Sequence, residues 1–95
     1  MDFSIVIPAY NEEKRIINTL ERIAEFMTLY YPGYEIIIVD DGSTDSTTGV
    51  INENFSSDTK IKILKLSSNR GKGYAVRKGI LASNGESILI TDADM

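Results

Sequence analysis

Two aspartates, Asp92 and Asp94, are separated by one residue and follow the apolar run Ile88–Ile90 after a single threonine. A carboxylate pair at the carboxyl end of a buried strand suits a hard divalent cation, which prefers oxygen ligands. Without a cation the two carboxylates would repel each other, and one would have to stay protonated. Because the chain has no histidine and no cysteine, Mg²⁺ or Mn²⁺ fits better than zinc. By spacing alone, a solvated loop is the default interpretation of the pair, and its position after a buried strand favours a metal site.

A second acidic segment, Asp40–Ser43, follows the aliphatic run Ile36–Val39. Asp, Gly and Ser are common turn and helix-capping residues, so a capped turn is one interpretation. The functional interpretation places the Asp40 carboxylate at a strand tip, where it can accept a hydrogen bond from a nucleotide base or a ribose hydroxyl.

A glycine-rich segment, Arg70–Gly73, carries two cationic side chains. Two glycines and two cations at a helix N-terminus suit a phosphate or diphosphate, although a flexible loop with a solvated lysine is the alternative. The segment is neither a dinucleotide fingerprint, since position 76 is valine, nor a P-loop, since no Gly-Lys-Ser/Thr run exists. Near the first predicted strand, Tyr10 could stack on a base or pack in the core.

These residues need elements that position them. Four short apolar runs predict strands at Phe3–Ile7, Tyr34–Val39, Ile61–Leu66 and Ser87–Thr91. Three segments predict helices: one that begins near an Asn11 cap and ends before Pro32, a weaker one that ends near Phe55, and Tyr74–Ser83. The last should turn Val76, Ile80 and Leu81 inward and end at an Asn84–Gly85 cap.

The alternation of strands and helices predicts an α/β fold with a parallel sheet, right-handed crossovers and helices on both faces. In such a sheet all strand-to-helix loops leave from one edge. The polar segments described above would therefore meet there, which favours one binding site over four unrelated ones. The four loops are Pro8–Glu12, Asp40–Asp45, Asn69–Gly73 and Asp92–Asp94.

Composition sets further bounds. The 95 residues predict a single domain, 1–95, and the 42% hydrophobic and 25% charged fractions are ordinary for a globular protein. A net charge of −4 argues against nucleic-acid binding. Lack of cysteine excludes a disulfide framework. We find no apolar run of the ~20 residues that a membrane span needs, and we expect no signal peptide, since the sequence opens directly into a predicted strand.

Together, the motifs resemble the family 2 glycosyltransferases of the GT-A fold. The matching segments are Ile5–Glu12, Ile38–Asp45, Asn69–Gly73 and Asp92–Asp94. Each is weak alone, but the four in this order are specific, and the resemblance covers essentially the whole chain. Within the family the chain looks most like the dolichyl-phosphate β-glucosyltransferases. The dolichyl-phosphate mannose synthases are similar but usually carry another residue in place of Lys72.

The resemblance implies a Rossmann-like GT-A half-domain with strand order 3-2-1-4 that is truncated after the Asp-x-Asp motif. Relatives continue further and carry the acceptor site there, so we expect this fragment to be inactive alone. An apolar edge at Ser87–Thr91 would be a template for pairing with another chain, and we expect homo-oligomers through that strand. The resemblance also implies a cytoplasmic location, or the cytoplasmic face of a membrane for a longer form of the protein.

The resemblance also implies roles for residues. Asp40 would hold the base, uracil rather than guanine, with Asp41 nearby. Asp92 and Asp94 would be the catalytic pair: Asp92 on the ribose or sugar side, and both at the metal that bridges the diphosphate. The pocket lining would comprise Pro8, Ala9, Tyr10 and Glu12, and the loop near the diphosphate and sugar would comprise Arg70, Gly71, Lys72 and Gly73.

The implied reaction is inverting transfer of a hexose from a nucleotide-diphospho-sugar, UDP-glucose, to a polyprenyl or dolichyl phosphate. That acceptor is already anionic, whereas the alternative acceptor, a saccharide hydroxyl, needs a general base. Three other classes stay open on the residues alone. A receiver-type Mg²⁺-binding signalling module carries an acidic pair after the first strand, where this chain has Pro8–Tyr10. An Asp-x-Asp phosphatase carries its motif near the start of the domain, whereas here the motif is at the end. A dinucleotide-binding module carries a glycine pattern that this chain lacks.

Overall fold

The computed structural model describes residues 1–94. Strands and helices alternate along the described chain, as the apolar runs predict. The elements are β1 (Phe3–Ala9), α1 (Ile16–Tyr30), β2 (Tyr34–Asp40), α2 (Thr47–Phe55), β3 (Ile61–Lys65), α3 (Lys72–Ala82) and β4 (Ser87–Ile90). No helix within residues 1–94 is both long enough and apolar enough to cross a membrane.

The four strands form one sheet in the order β3-β2-β1-β4, and every neighbouring pair is parallel. Both the order and the parallel pairing confirm the predictions. The register places Ala9 opposite Asp40 and Asp40 opposite Lys65. These three strand ends are level, and β4 ends opposite Val6, so the loops that follow the four strands leave side by side from the same end of the sheet.

Helices cover both faces of the sheet. Successive strand side chains point to opposite faces, and in the central strands the side chains on both faces are apolar, so both faces must be buried. On one face, α1 and α2 pack on the strands through residues such as Leu20, Ile38 and Ile51. On the other face, Ala75 of α3 packs against Val6 and neighbouring strand residues. The sheet is thereby fixed from both sides, and its loop-bearing edge has a rigid support.

The predicted inward face of α3 is wrong. Ala75 and Gly79 face the sheet and are buried, whereas Val76 is only partly buried, and Ile80 and Leu81 are 38% and 74% exposed. A Cβ added at Gly79 would stand 2.3 Å from the Val6 Cγ1 atom. The helix therefore lies too close to the sheet for larger side chains at these two positions.

The two predicted caps are also wrong. Helix α1 begins after Arg15, not at Asn11, and Asn11 takes the left-handed conformation at φ 54°. At the end of α3 the cap position is Ser83, in extended conformation. Gly85 is needed for space instead, since an added Cβ would stand 2.5 Å from the Ser4 nitrogen.

A buried polar cluster stabilises the other end of the sheet, where β1 and β2 begin. The side chain of Glu35 is fully buried, and its Oε2 atom accepts hydrogen bonds from the Ser4 hydroxyl and the Asn84 N–H, both at 2.6 Å. The Lys62 ammonium donates to its Oε1 atom at 2.8 Å. This cluster joins the start of β1 and β2 to the segment that enters β4.

Candidate functional site

The loops that follow the four strands enclose one open cavity of about 450 Å³. Nine residues that the sequence analysis assigned to the site line it, together with two to which it gave no role, Asn69 and Ala93. The complete lining is Pro8, Ala9, Tyr10, Glu12, Asp41, Asn69, Gly71, Lys72, Asp92, Ala93 and Asp94. The remaining predicted residues, Asp40, Arg70 and Gly73, lie outside this lining.

The side chain of Asp40 supports its own turn. It is 1% exposed, and its Oδ1 atom accepts a hydrogen bond from the Ser43 N–H at 3.1 Å. Its backbone carbonyl accepts from the Leu66 N–H at 2.9 Å. In this conformation Asp40 shapes the loop after β2, and its neighbour Asp41 is the carboxylate that reaches the cavity.

Reciprocal hydrogen bonds join the loop after β1 to the loop after β2. The Asn11 N–H donates to the Ser43 hydroxyl at 2.9 Å, while the Asn11 Oδ1 atom accepts from the Thr44 N–H at 2.8 Å. The left-handed backbone of Asn11 directs both groups toward the second loop. The exchange fixes the segment that carries Tyr10 and Glu12 on the cavity wall.

Asp45 completes this junction through hydrogen bonds to both loops. Asp45 accepts hydrogen bonds from the Glu13 N–H at 3.3 Å and the Thr47 N–H at 2.9 Å, and a short one from the Thr47 hydroxyl. Burial raises the pKa of the Asp45 carboxyl, but these bonds to Thr47 and Glu13 outweigh burial and leave the pKa below its ordinary value. Asp45 is therefore ionised at neutral pH.

The loop after β3 is held by Asp41. Its Oδ1 atom accepts from the Arg70 N–H at 2.7 Å and its Oδ2 atom from the Gly71 N–H at 2.9 Å. The sequence predicted that this glycine-rich, cationic segment suits a phosphate, but a carboxylate of the protein occupies these two backbone donors. Gly71, at φ 99°, is the cap residue of α3, and Lys72 follows it.

The Asp92–Asp94 turn is supported by a residue that the sequence analysis missed. Thr19, buried on α1, donates its hydroxyl to the Ala93 carbonyl oxygen at 2.7 Å, and Ala93 is 3% exposed. Ala93 is thus fixed below the sheet edge, and the two aspartates flank it at the cavity. The available signal was a polar residue among the inward positions Ile16, Leu20 and Ile23.

Lys72 faces this turn across the cavity. Its ammonium stands 2.8 Å from the Asp92 Oδ1 atom. The hydrogen bond to Asp92 and the charge of Asp92, with a smaller effect of Asp94, raise the pKa of Lys72 above its usual range. Both side chains of the pair are about two-thirds exposed, so water and salt screen their attraction.

The charges that line the cavity favour a cation. Four carboxylates and a single ammonium line it. Because the carboxylates repel an anion, an anionic ligand would bind there only together with a cation. Within residues 1–94 no three His, Cys, Asp or Glu side chains are grouped as a complete metal site. Two carboxylates with the remaining positions left to phosphate and water are nevertheless the usual protein share of a Mg²⁺-type site. Asp92 and Asp94 fit that donor set.

Comparison with known proteins places this geometry among transferases. Residues 4–95 match the family model "Glycosyl transferase family 2". A mouse protein named dolichyl-phosphate beta-glucosyltransferase is 44% identical over 101 residues, which cover 96% of this chain and 30% of the mouse protein. The chain thus spans about 30% of the length of the curated relatives it matches first.

Two solved structures share the fold over nearly the whole chain. TarS 1–349 from S. aureus in complex with UDP-GlcNAc has a TM-score of 0.88 and 32% identity, over 99% of this chain and 27% of that TarS chain. The mannosyltransferase PcManGT from Pyrobaculum calidifontis, in complex with GDP-Man and Mn²⁺, has a TM-score of 0.87 and 28% identity. That match covers 97% of this chain and 27% of the mannosyltransferase.

Proposed function

The chain belongs to glycosyl transferase family 2, and from that membership we propose that it binds the nucleotide-diphospho-sugar donor of an inverting hexosyltransferase. The donor we propose is UDP-glucose, held with a divalent cation. Family membership favours this function over the receiver, phosphatase and dinucleotide-binding classes that the residues alone left open.

One observation carries the proposal: loops far apart in the sequence line a single cavity. Pro8 and Asp94 are at opposite ends of the chain and line it together, with Asp41 and Lys72 from the two loops between them. Its volume of about 450 Å³ lies within the range of small-molecule sites. A nucleotide sugar also matches its chemistry, because one such ligand has an aromatic base, a diphosphate and a polar sugar.

The base is assigned to the side of the cavity formed by Tyr10. The Tyr10 ring is 44% exposed and lines the cavity, so it is available for stacking against a base. Asp41 also lines the cavity, and both of its carboxylate oxygens accept the Arg70 and Gly71 N–H groups. Pro8, Ala9 and Glu12 form the wall around them.

The diphosphate is assigned to the side formed by Lys72 and the aspartate pair. Asp92 and Asp94 would hold Mg²⁺ or Mn²⁺, and a cation bound there stabilises the negative charge that develops on the leaving diphosphate. Lys72 would move from Asp92 to a phosphate oxygen when the donor binds. That exchange is inexpensive, because an exposed pair contributes little to stability.

The acceptor we propose is a polyprenyl phosphate, on the strength of the names of the relatives. A phosphate oxygen is anionic at neutral pH and attacks the anomeric carbon from the face opposite the leaving group, without a strong general base. A saccharide hydroxyl is the second candidate, and it requires a base. A lipid acceptor would place the reaction at the cytoplasmic face of a membrane.

The test is a binding panel read by calorimetry. UDP-glucose, UDP-GlcNAc, GDP-mannose and NAD⁺ are titrated into the chain in Mn²⁺, and again in EDTA. The proposal predicts that UDP-glucose binds most tightly and that EDTA removes the binding, because the carboxylate-rich cavity repels a bare diphosphate. Preference for NAD⁺, or binding of UDP-glucose that is equal in EDTA, would refute it.

A further inference from the structure

We propose that Asp41 is a positioning residue for Lys72. The inference builds on the proposed function, because the ligand beside Lys72 is taken to be the donor diphosphate. Both carboxylate oxygens of Asp41 hold the backbone that precedes Lys72, so Asp41 determines where the lysine ammonium stands in the cavity.

The contacts of Asp41 reach a distant loop. Its two oxygens accept the Arg70 and Gly71 N–H groups at 2.7 and 2.9 Å, which are 29 and 30 residues further along the chain. A turn carboxylate normally binds the turn to which it belongs, as Asp40 does with Ser43. Asp41 instead joins the loop after β2 to the loop after β3.

Burial makes this junction strong. Asp41 is 4% exposed, and hydrogen bonds to an ionised acceptor are shorter and stronger than neutral ones. Removal of such an acceptor leaves buried donors without a partner, which costs more than the bond itself contributes. The segment before Lys72 is therefore held in one conformation before any ligand arrives.

A close approach of the two loops supports the same role. Gly42, at φ 73°, lies against the backbone of the other loop, and a Cβ there would stand 2.5 Å from the Ser68 carbonyl carbon and 2.6 Å from the Asn69 nitrogen. Only glycine permits this contact, and the contact brings the Asp41 carboxylate within reach of the Arg70 and Gly71 N–H groups.

The backbone that Asp41 fixes leads directly to the ligand side. Gly71 caps α3 and Lys72 is the first residue of that helix. The Lys72 side chain is long and exposed, so its reach toward Asp92, now 2.8 Å away, depends on where its Cα atom is held. Without Asp41 the same side chain would sample a wider volume, and phosphate binding would have to order it.

The experiment is a double-mutant cycle with two readouts. The variants are Asp41→Asn, Lys72→Met and the double substitution. Asp58→Asn is the matched control, because the Asp58 Oδ1 atom also accepts a backbone N–H, from Lys60 at 2.9 Å, in the loop before β3. Amide hydrogen exchange of Arg70 and Gly71 is measured by NMR without ligand, and the affinity for UDP in Mn²⁺ is measured by calorimetry.

We expect Asp41→Asn to speed exchange at both amides by at least about tenfold, since the Asn amide group presents a donor to one of the two N–H groups. We expect Asp41→Asn and Lys72→Met each to weaken UDP binding by roughly tenfold. The double variant should lose clearly less affinity than the product of the two single losses, because both residues act through the same contact between Lys72 and a phosphate. Asp58→Asn should change neither readout.

Two results would overturn the inference: unchanged exchange at Arg70 and Gly71 in Asp41→Asn, or losses of UDP affinity that multiply in the double variant. The second would mean that Asp41 acts independently of Lys72. If the unsubstituted chain binds no UDP, the proposed donor is wrong, and the exchange measurement still decides whether Asp41 holds the loop.

Discussion

The Thr19 hydroxyl on α1 donates a 2.7 Å hydrogen bond to the carbonyl oxygen of Ala93, between the two aspartates proposed to bind the cation. The two residues are 74 positions apart, and both are buried. A helix on one face of the sheet therefore supports the loop that leaves β4. The Asp92 and Asp94 carboxylates can face the cavity because Ala93, between them, is held in the protein interior by Thr19.

Replacement of Thr19 tests this support. Thr19→Val keeps the shape but removes the hydroxyl, so the Ala93 carbonyl loses a buried partner, and we expect a loss of about 1–2 kcal/mol in the free energy of unfolding. We also expect roughly tenfold weaker Mn²⁺ affinity in the presence of UDP, by analogy with other residues that orient metal ligands. Urea unfolding and calorimetry measure the two effects.

The control is Thr28→Val, at the other end of α1, where the hydroxyl lies 3.2 Å from the Tyr34 hydroxyl. It should leave Mn²⁺ affinity unchanged. A Thr19→Val chain that loses stability but binds Mn²⁺ normally would show that the bond does not orient the aspartates.

The aspartate pair itself should decide metal dependence. Asp94→Asn removes one anionic oxygen ligand, so we expect the enhancement of UDP binding by Mn²⁺ to fall by at least about tenfold, or 1.4 kcal/mol. Because Asp94 is exposed, the unfolding free energy should change by less than about 0.5 kcal/mol. Normal Mn²⁺ enhancement in Asp94→Asn would remove this residue from the cation site.

Glu35 should make stability depend on acid. Burial raises the pKa of its carboxyl, but hydrogen bonds from Lys62, Ser4 and Asn84, with the Lys62 charge, outweigh burial and lower the pKa from 4.5 to about 2. The folded state therefore favours the ionised form. The resulting stabilisation, about 3 kcal/mol by linkage, is complete above pH 4.5 and is lost as the pH falls toward 2.

The measurement is urea unfolding between pH 7 and pH 3 for the unsubstituted chain, Glu35→Gln and the exposed control Glu53→Gln. Glu35→Gln should be less stable at pH 7 and should lose less stability on acidification. Equal acid slopes in Glu35→Gln and the unsubstituted chain would show that another group carries the effect.

Strand β4 should mediate self-association. It is an edge of the sheet, and Ile88, Leu89 and Ile90 are 38%, 46% and 51% exposed. The other edge strand, β3, carries Lys62 and Lys65, charges that oppose pairing. We expect dimers or larger species at high concentration in analytical ultracentrifugation, and Leu89→Lys should restore the monomer.

The control for this prediction is Leu81→Lys, since Leu81 is 74% exposed on α3 and outside the strand. It should leave self-association intact. A chain that stays monomeric at high concentration, or loss of association in Leu81→Lys as well, would contradict pairing through β4.

The parallel pairing and the shared loop edge were predictable because short apolar strands that alternate with helices allow few arrangements, and the strand order followed from the family resemblance. Details of the loops were not predictable, because they depend on contacts between distant residues. Asn11 was expected to cap α1, yet its left-handed backbone directs it to the loop after β2. The roles of Thr19 and Asp41 likewise depend on partners 74 and about 30 residues away, for which local sequence patterns contain no signal.

The most direct test of the central claim is a paramagnetic NMR titration of the chain with Mn²⁺ and UDP. One cavity lined by four loops predicts that the amide signals of Tyr10, Asp41, Lys72 and Asp94, one from each loop, broaden together with one common affinity, while those of Glu35 and Asn84 at the opposite end of the strands stay sharp. Broadening around Glu35 and Asn84, or unrelated affinities for the four loop signals, would contradict the account.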